Sequence, residues 1–110
     1  MKKEFFQWLS DTDRLRIRFE MTKGKVTMLV VQYEGLICGK WEPIIRYDTA
    51  HGYLHKDLYV GGQKERIKKE RVPIADFNRG LTEAIDDLRR HWQEYRTRFA
   101  RGVDGKISTG

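Results

Sequence analysis

The sequence predicts an α+β protein: an antiparallel meander sheet of four to five strands, with a long amphipathic C-terminal helix packed on one face. Two patterns predict this class. Between residues 14 and 72, apolar and polar residues alternate with a period of two, in short runs separated by glycine-containing turns. From Asp76 onward, apolar residues recur instead at steps of three and four. Strands followed by one helix are typical of α+β proteins and not of doubly wound parallel sheets.

The predicted strands follow one another along the chain. In the first, Leu15, Ile17 and Phe19 alternate with arginines at positions 14, 16 and 18, which indicates one buried and one arginine-lined face. Gly24 is expected to take a positive φ in the turn that follows. A central strand is predicted at 25–33, because this segment is apolar on both faces, and a loop from 34 to 40 follows it. Two further strands are predicted at 41–48 and 53–60. After a turn at 61–63, the last strand, at 64–72, is highly charged and is expected to lie at an edge of the sheet.

The two ends of the chain are predicted to differ. Residues 3–9 form a short helix or an extended arm that lays Phe5, Phe6, Trp8 and Leu9 on the core. Asp76 is the predicted N-cap of a helix of about six turns. Its apolar stripe consists of Phe77, Leu81, Ala84, Ile85, Leu88, Trp92, Tyr95 and Phe99. Residues 1–100 are expected to form one domain, and residues 101–110 a flexible tail.

Composition narrows the class of protein. The chain has 110 residues, a net charge of +6 and a pI near 9.6, so its surface is expected to attract polyanions such as RNA. Cys38 is the single cysteine, which rules out an intramolecular disulfide. No apolar stretch approaches about 20 residues, and no secretory signal is evident, so no membrane contact and a cytoplasmic location are expected.

Polar residues concentrate around the turn between the third and fourth predicted strands. Asp48, His51, His55 and Asp57 are expected to gather at one end of this hairpin, because alternate residues of a strand share a face. Histidine titrates near neutrality, and a carboxylate beside it orients the ring, so the set suits metal-independent acid–base cleavage of RNA. The expected phosphate contacts are Arg46, Lys56 and Arg16, provided that the arginine-lined face lies on the same side as His55.

Three other interpretations fit the same residues. The cluster can be structural, with Asp48 closing an Asx-type turn over Thr49 and Ala50. The residues Asp48, His51, His55 and Asp57 are also acceptable ligands for zinc or manganese, although their spacing matches no established motif, and no metal or cofactor is predicted. Finally, the protein can be a non-catalytic module that binds a protein partner or forms a homodimer through its sheet face or helix.

Short motifs carry a family resemblance. Residues 46–51 (RYDTAH), 54–57 (LHKD) and the helix from Leu81 to Phe99 resemble a group of small uncharacterised prokaryotic proteins. The layout is also similar to the TumE-like toxins of toxin–antitoxin modules, which carry an aromatic-Asp-x-Ala-His turn, a His-Lys-His strand and a C-terminal helix. In this chain Asp57 replaces the last histidine of that strand. The resemblance implies a toxin-like protein that acts on RNA, is neutralised by an antitoxin protein and uses Asp48, His51, His55 and Lys56. Our first hypothesis is therefore an RNA-directed toxin that acts as an endoribonuclease.

Overall fold

In the part of the chain that the structure describes, six strands form one antiparallel sheet, and their spatial order follows the sequence. The computed structural model describes the backbone of residues 1–61 and 68–109, and the side chains of residues 1–61 and 68–102. The elements are β1 (Lys2–Ser10), β2 (Asp13–Thr22), β3 (Lys25–Ile37), β4 (Lys40–Asp48), β5 (His55–Leu58), β6 (Lys68–Arg71) and α1 (Phe77–Thr109). The predicted α+β class and the meander order are confirmed, with six strands in place of four to five.

The additional strand is β1. Its residues were predicted to form a short helix or an arm that buries aromatic side chains, and that placement is wrong. β1 pairs with β2 along its length, and Phe5, Phe6 and Trp8 are 44%, 46% and 57% exposed. Phe6 and Trp8 are exposed because they lie on the face of the sheet that α1 does not cover. Phe5 lies on the other face, and it is exposed because α1 packs chiefly on β3 and β4 and does not reach this edge of the sheet.

Two tight turns connect the central strands. Lys23 and Gly24 both have positive φ (51° and 76°), as the two central residues of a type I′ hairpin require, which confirms the predicted turn at Gly24. Cys38 and Gly39 repeat this conformation with φ of 51° and 80°. The predicted loop from 34 to 40 is therefore wrong. A two-residue turn suffices, and β3 continues to Ile37.

An irregularity lies between β3 and β4. Tyr33 pairs with Ile45 and Glu34 pairs with Pro43, so Ile44 is an extra residue in β4. A β-bulge of this kind accommodates Pro43, which has no N–H to give to the ladder. The side chain of Ile44 is 1% exposed, so the bulged residue still contributes to the core.

The helix covers the face of the sheet that bears Leu29, Val31 and Tyr33. Its predicted N-cap is confirmed, because the backbone N–H of Asn78 donates a 2.9 Å hydrogen bond to Oδ1 of Asp76. The predicted apolar stripe is also confirmed as the packed side. It comprises Phe77, Leu81, Ala84, Ile85, Leu88, Trp92, Tyr95 and Phe99, all of which are buried in the core or packed against it.

The ends of the predicted elements shift. β5 and β6 are shorter than the predicted strands at 53–60 and 64–72, and residues 62–67 of that prediction lie outside the described residues. The backbone of α1 continues to Thr109, past residue 101, while the flexibility of 101–110 stays a prediction. Within the described part of the chain, no helix is both long and apolar enough to cross a membrane.

Candidate functional site

The face of the sheet opposite α1, called the open face below, carries two rows of side chains that cross all six strands. Strand register defines both rows, because residues paired on adjacent antiparallel strands point to the same side. The first row is Glu4, Arg18, Val30, Asp48, His55 and Arg71. The second is Phe6, Arg16, Gln32, Arg46, Asp57 and Lys69. The arginine-lined face of β2 therefore lies on the same side as His55, as the phosphate-binding prediction required.

Asp48 and His55 form the centre of the hairpin cluster. They are direct cross-strand partners at the ends of β4 and β5, and Nε2 of His55 lies 2.5 Å from Oδ1 of Asp48. Oδ1 of Asp48 also accepts a 3.1 Å hydrogen bond from the N–H of Ala50, which is the Asx-type turn expected from the sequence. Oδ2 accepts a 2.9 Å hydrogen bond from Nε of Arg46. The carboxylate of Asp48 thus closes the turn at Ala50, pairs with the guanidinium of Arg46 and contacts the imidazole of His55.

Asp57 lies in the same cluster, two residues along β5 from His55. Asp48, His55 and Asp57 each place one oxygen or ring nitrogen within 4.8 Å of the other two. All three residues are buried, with exposed fractions of 5%, 2% and 5%. Nδ1 of His55 has no hydrogen-bond partner among the described residues. The structure therefore brings together three of the four residues that were predicted to be catalytic.

His51, the fourth, lies in the connecting turn and is exposed. Its ring centroid is 5.5 Å from that of His55, and Tyr53 lies 5.8 Å from His55. The guanidinium of Arg71 lies 4.6 Å from the centroid of Tyr53. The turn therefore places one solvent-accessible imidazole beside the buried cluster.

Arginines surround a shallow depression next to the cluster. A cavity of about 200 Å³ on the open face is lined by Arg16, Arg18, Val30, Gln32 and Arg46. Arg46 is bound to Asp48, and Arg16 is bound to the exposed Glu4 at 2.9 Å. Two of the three predicted phosphate contacts, Arg16 and Arg46, therefore share one cavity. The sequence drew no distinction between Arg18 and its neighbours, yet it lines the same cavity.

Aromatic residues flank Arg14 near the β1 edge. Its guanidinium carbon lies 4.3 Å from the centroid of Phe6 and 4.0 Å from that of Trp41, and Trp8 packs edge-on against Trp41 at 5.7 Å. Nε of Arg14 donates a 2.8 Å hydrogen bond to Glu34. We call these four side chains, Phe6, Trp8, Arg14 and Trp41, the aromatic–arginine cluster. Sequence reasoning missed it, although the alternation of Phe6 and Trp8 in a strand pattern was the available signal.

Lys56 lies on the other side of the sheet. It alternates with His55 and Asp57 along β5, so its side chain points toward α1 and is 14% exposed. Its ammonium donates a 2.7 Å hydrogen bond to the hydroxyl of Tyr95 and lies 3.4 Å from Asp87. The structure does not bring this predicted phosphate contact together with Arg16 and Arg46.

The fold and the site define a class: a small α+β protein whose six-stranded sheet is covered by a helix on one face and carries a His–Asp cluster and arginines on the other. The family model described as Domain of unknown function (DUF7718) matches residues 1–105, and the chain belongs to this family. This agrees with the expected uncharacterised family. Comparison with curated proteins and with solved structures gives no match.

Proposed function

We propose that this protein binds single-stranded RNA across the open face of its sheet and acts as an RNA-directed, toxin-like protein. The observation that carries the proposal is the aromatic–arginine cluster: exposed aromatic rings and a guanidinium stacked together on a β-sheet surface. Bases of a single strand stack on such rings, and each stacked base contributes roughly 1–3 kcal/mol. Sequence-specific recognition of RNA commonly uses single strands in which the bases are unstacked and available to aromatic residues.

The arginine-lined cavity supports the same proposal. Arg16 and Phe6 are cross-strand partners, so the cavity begins one strand away from the aromatic–arginine cluster. A strand whose bases stack on Phe6 and Trp8 can place its phosphates near Arg16 and Arg18, where guanidinium groups offer paired N–H donors. The short distance between the stacking surface and the cation-lined cavity suits a chain of alternating bases and phosphates.

Cleavage is the catalytic part of the proposal. His51 is exposed beside the buried Asp48–His55 pair, so it is the imidazole that can reach a bound strand and transfer a proton. We expect cleavage of RNA by purified protein to be lost in His51→Ala. Substitution of His91, a half-buried histidine on α1, provides the control and should leave cleavage unchanged. Cleavage of equal rate in both variants would exclude His51 as the proton-transfer group.

RNA binding is tested by fluorescence anisotropy with a labelled single-stranded oligonucleotide at two salt concentrations. Phe6 and Phe5 are a matched pair, since they are adjacent, similarly exposed and on opposite faces of β1. We expect Phe6→Ala to weaken binding about five-fold or more and Phe5→Ala to leave it unchanged. Equal affinities for the two variants would contradict stacking on the open face. Affinity should also fall as salt rises, because phosphate contacts release counterions.

Toxicity and its neutralisation form the cellular part of the proposal, and the family resemblance supports them. Induced expression of the chain should arrest growth of a bacterial host, and the Phe6→Ala variant should relieve the arrest. A co-expressed antitoxin protein is the expected partner. Growth that continues normally while the protein accumulates in folded form would argue against the toxin assignment and leave RNA binding to be judged by anisotropy.

A second candidate function is homodimerisation, favoured by the β1 edge. β1 has nine residues and is an edge strand of the sheet. Phe5 lies on one of its faces, and Phe6 and Trp8 lie on the other. Exposed edge strands can pair with a second copy by strand addition. Light scattering coupled to size-exclusion chromatography tests this. A dimer that Gln7→Pro converts to a monomer would support edge pairing, whereas a wild-type monomer at high concentration would exclude it.

A further inference from the structure

We propose that a cavity between Tyr53 and the connection from β6 to α1 binds one nucleobase of a single-stranded RNA. The cavity adjoins the open face at the end of the sheet farthest from β1. Its assignment rests on the proposed function and adds a base-binding site to it, beside the exposed imidazole of His51.

The cavity has a volume of about 340 Å³ and lies where β5 begins and β6 ends. Strand pairing brings these two ends together, because His55 and Arg71 are direct cross-strand partners. Tyr53 lines one side of the cavity, and the residues from Arg71 to Ala75 line another. Small-molecule sites in proteins have volumes of roughly 300–1,000 Å³, so a cavity at the lower end of this range suits one ring system with its sugar.

Tyr53 and Arg71 form a stacked pair in the wall of the cavity. The guanidinium carbon of Arg71 lies 4.6 Å from the centroid of the Tyr53 ring, which is a cation–π contact. The side chain of Arg71 is exposed, so its guanidinium is accessible to a ligand. Unpaired RNA bases stack on guanidinium planes as well as on aromatic rings. The pair therefore offers a flat surface of the kind that a nucleobase requires.

The charge of Arg71 is also available to an anion. In the part of the chain that the structure describes, no ion pair joins Arg71 to an acidic side chain. By contrast, Arg14, Arg16 and Arg46 each pair with a carboxylate. A guanidinium without a carboxylate partner can donate hydrogen bonds to the phosphate of a nucleotide whose base occupies the cavity. Charge and stacking thus favour the same ligand, a nucleobase that carries a phosphate.

Backbone hydrogen bonds hold the remaining wall in place. The N–H of Val72 donates a 2.9 Å hydrogen bond to the carbonyl of Leu54, which joins the end of β6 to the start of β5. The N–H of Ile74 donates a 2.8 Å hydrogen bond to the carbonyl of Val72, so the chain turns tightly at Pro73. The apolar wall is therefore formed before a ligand arrives, which reduces the entropy lost on binding.

The position of His51 connects the cavity to RNA cleavage. The ring centroids of His51 and Tyr53 are 6.3 Å apart. A base that stacks on Arg71 therefore brings the phosphodiester next to it close to the exposed imidazole, and such positioning is what proton transfer to or from the strand requires. The base in the cavity then determines which bond of the RNA is cleaved.

An NMR titration of the wild-type protein with adenosine 5′-monophosphate tests the site directly. Ribose 5-phosphate is the matched ligand, because it has the same sugar and phosphate but no base. Adenosine monophosphate should shift the ring signals of Tyr53 and the methyl signals of Ile74, and ribose 5-phosphate should leave those of Ile74 in place. Equal shifts with both ligands, or no shift of Ile74 with either, would overturn the proposal.

A pair of conservative variants tests the site with RNA. Arg71→Lys keeps the positive charge but removes the planar group that stacks, so it should weaken the binding of a labelled single-stranded oligonucleotide about five-fold or more. Arg89→Lys is the matched control, because Arg89 is an exposed arginine on α1. It should bind like the wild type, and fluorescence anisotropy measures both. Equal affinities of the two variants would count against a base at Arg71.

The base-binding site and the proposed function can fail separately. If Phe6→Ala weakened RNA binding and Arg71→Lys did not, the base-binding site would be wrong and the proposed function would stand. If the protein bound no RNA while adenosine monophosphate still shifted Tyr53 and Ile74, the proposed function would be wrong. The cavity would then be a site for free nucleotides.

Discussion

Oδ1 of Asp13 accepts a 2.7 Å hydrogen bond from Nη1 of Arg96, which links the start of β2 to α1 across 83 positions of the chain. The same carboxylate accepts hydrogen bonds from Tyr33 at 2.5 Å and from Ser10 at 2.6 Å. Arg96 also donates to the carbonyl of Leu36 at 3.0 Å. Asp13, at the centre of this network, is only 2% exposed. The network connects α1 to the end of the sheet that lies away from the candidate site.

Asp13→Asn should therefore destabilise the protein. The substitution removes the charge that Arg96 and Tyr33 contact and places an amide N–H₂ where only acceptors are used, so a loss of about 2–4 kcal/mol in the free energy of unfolding is expected. Asp86→Asn is the control, since Asp86 is exposed and its pair with Arg90 contributes roughly 0.3–0.5 kcal/mol. Urea denaturation measures both. Similar losses for the two variants would refute the special role of Asp13.

Acid should destabilise the protein through two carboxyl groups. Burial by itself raises the pKa of Asp13, but hydrogen bonds from Ser10, Tyr33 and Thr12 and the charge of Arg96 outweigh it and lower the pKa below 3.8. Burial acts in the same direction at Asp87, and hydrogen bonds from Tyr47 and Tyr95 with the charge of Lys56 again lower the pKa. A depressed pKa in the folded state stabilises the protein above the unfolded-state value, and this stabilisation disappears as the pH falls through the folded-state value.

The expected result is a free energy of unfolding that is steady near neutrality and declines as the pH falls below about 4. Asp87→Asn removes one of the two groups, so its stability should be lower at neutral pH and should depend less on pH in the acid range. Urea denaturation at a series of pH values, with Asp86→Asn as the control, measures this. An acid limb of the same steepness in wild type and Asp87→Asn would show that Asp87 does not contribute.

Much of the fold could be predicted from local patterns. The arginine alternation located β2, the turn at Gly24 located the start of β3, and the three-and-four spacing from Phe77 to Phe99 located the packed side of α1. β1 was missed because its aromatic residues suggested burial. The decisive facts are tertiary: Phe6 and Trp8 lie on the face that α1 does not cover, and Phe5 lies at an edge that the helix does not reach, so the rings of this strand stay exposed.

The candidate site could be predicted only in part. Alternation along β5 correctly put His55 and Asp57 on one face, and the turn placed Asp48 opposite them. The burial of His55, the exposure of His51 and the contacts of Arg14 depend on how strands register and on what covers each face. Those facts arise from pairing over the whole sheet, which single-strand patterns do not contain.

Gly35 should be sensitive to the addition of one methyl group. A Cβ at this position would lie 2.7 Å from Cδ1 of Ile44 and 2.8 Å from Nη1 of Arg96. We expect Gly35→Ala to cost about 1–3 kcal/mol through overpacking. Ile44→Val removes the Cδ1 atom that clashes and should by itself cost about 0.5–1.5 kcal/mol.

The double variant separates a steric cause from a general loss of stability. Because Ile44→Val makes room for the new methyl group, Gly35→Ala with Ile44→Val should lose less stability than the sum of the two single variants. Chemical denaturation of the four proteins measures the coupling. If the losses in the free energy of unfolding were strictly additive, the contact with Ile44 would not determine the loss caused by Gly35→Ala. The contact with Arg96 would then be the steric cause to test.

Lys56→Met should separate the two faces of the sheet. Nζ of Lys56 hydrogen-bonds Tyr95 and lies 4.7 Å from the centroid of the Tyr95 ring, so its removal leaves Asp87 without its nearest cation and should cost about 1–3 kcal/mol of stability. RNA affinity should be unchanged, since this charge lies on the face of the sheet that α1 covers.

Arg18→Ala is the matched control, because it also removes one positive charge. It should weaken RNA binding and leave the stability nearly unchanged, because Arg18 is exposed in the open-face cavity. If Lys56→Met weakened RNA binding as much as Arg18→Ala, net charge and not the open face would determine the affinity.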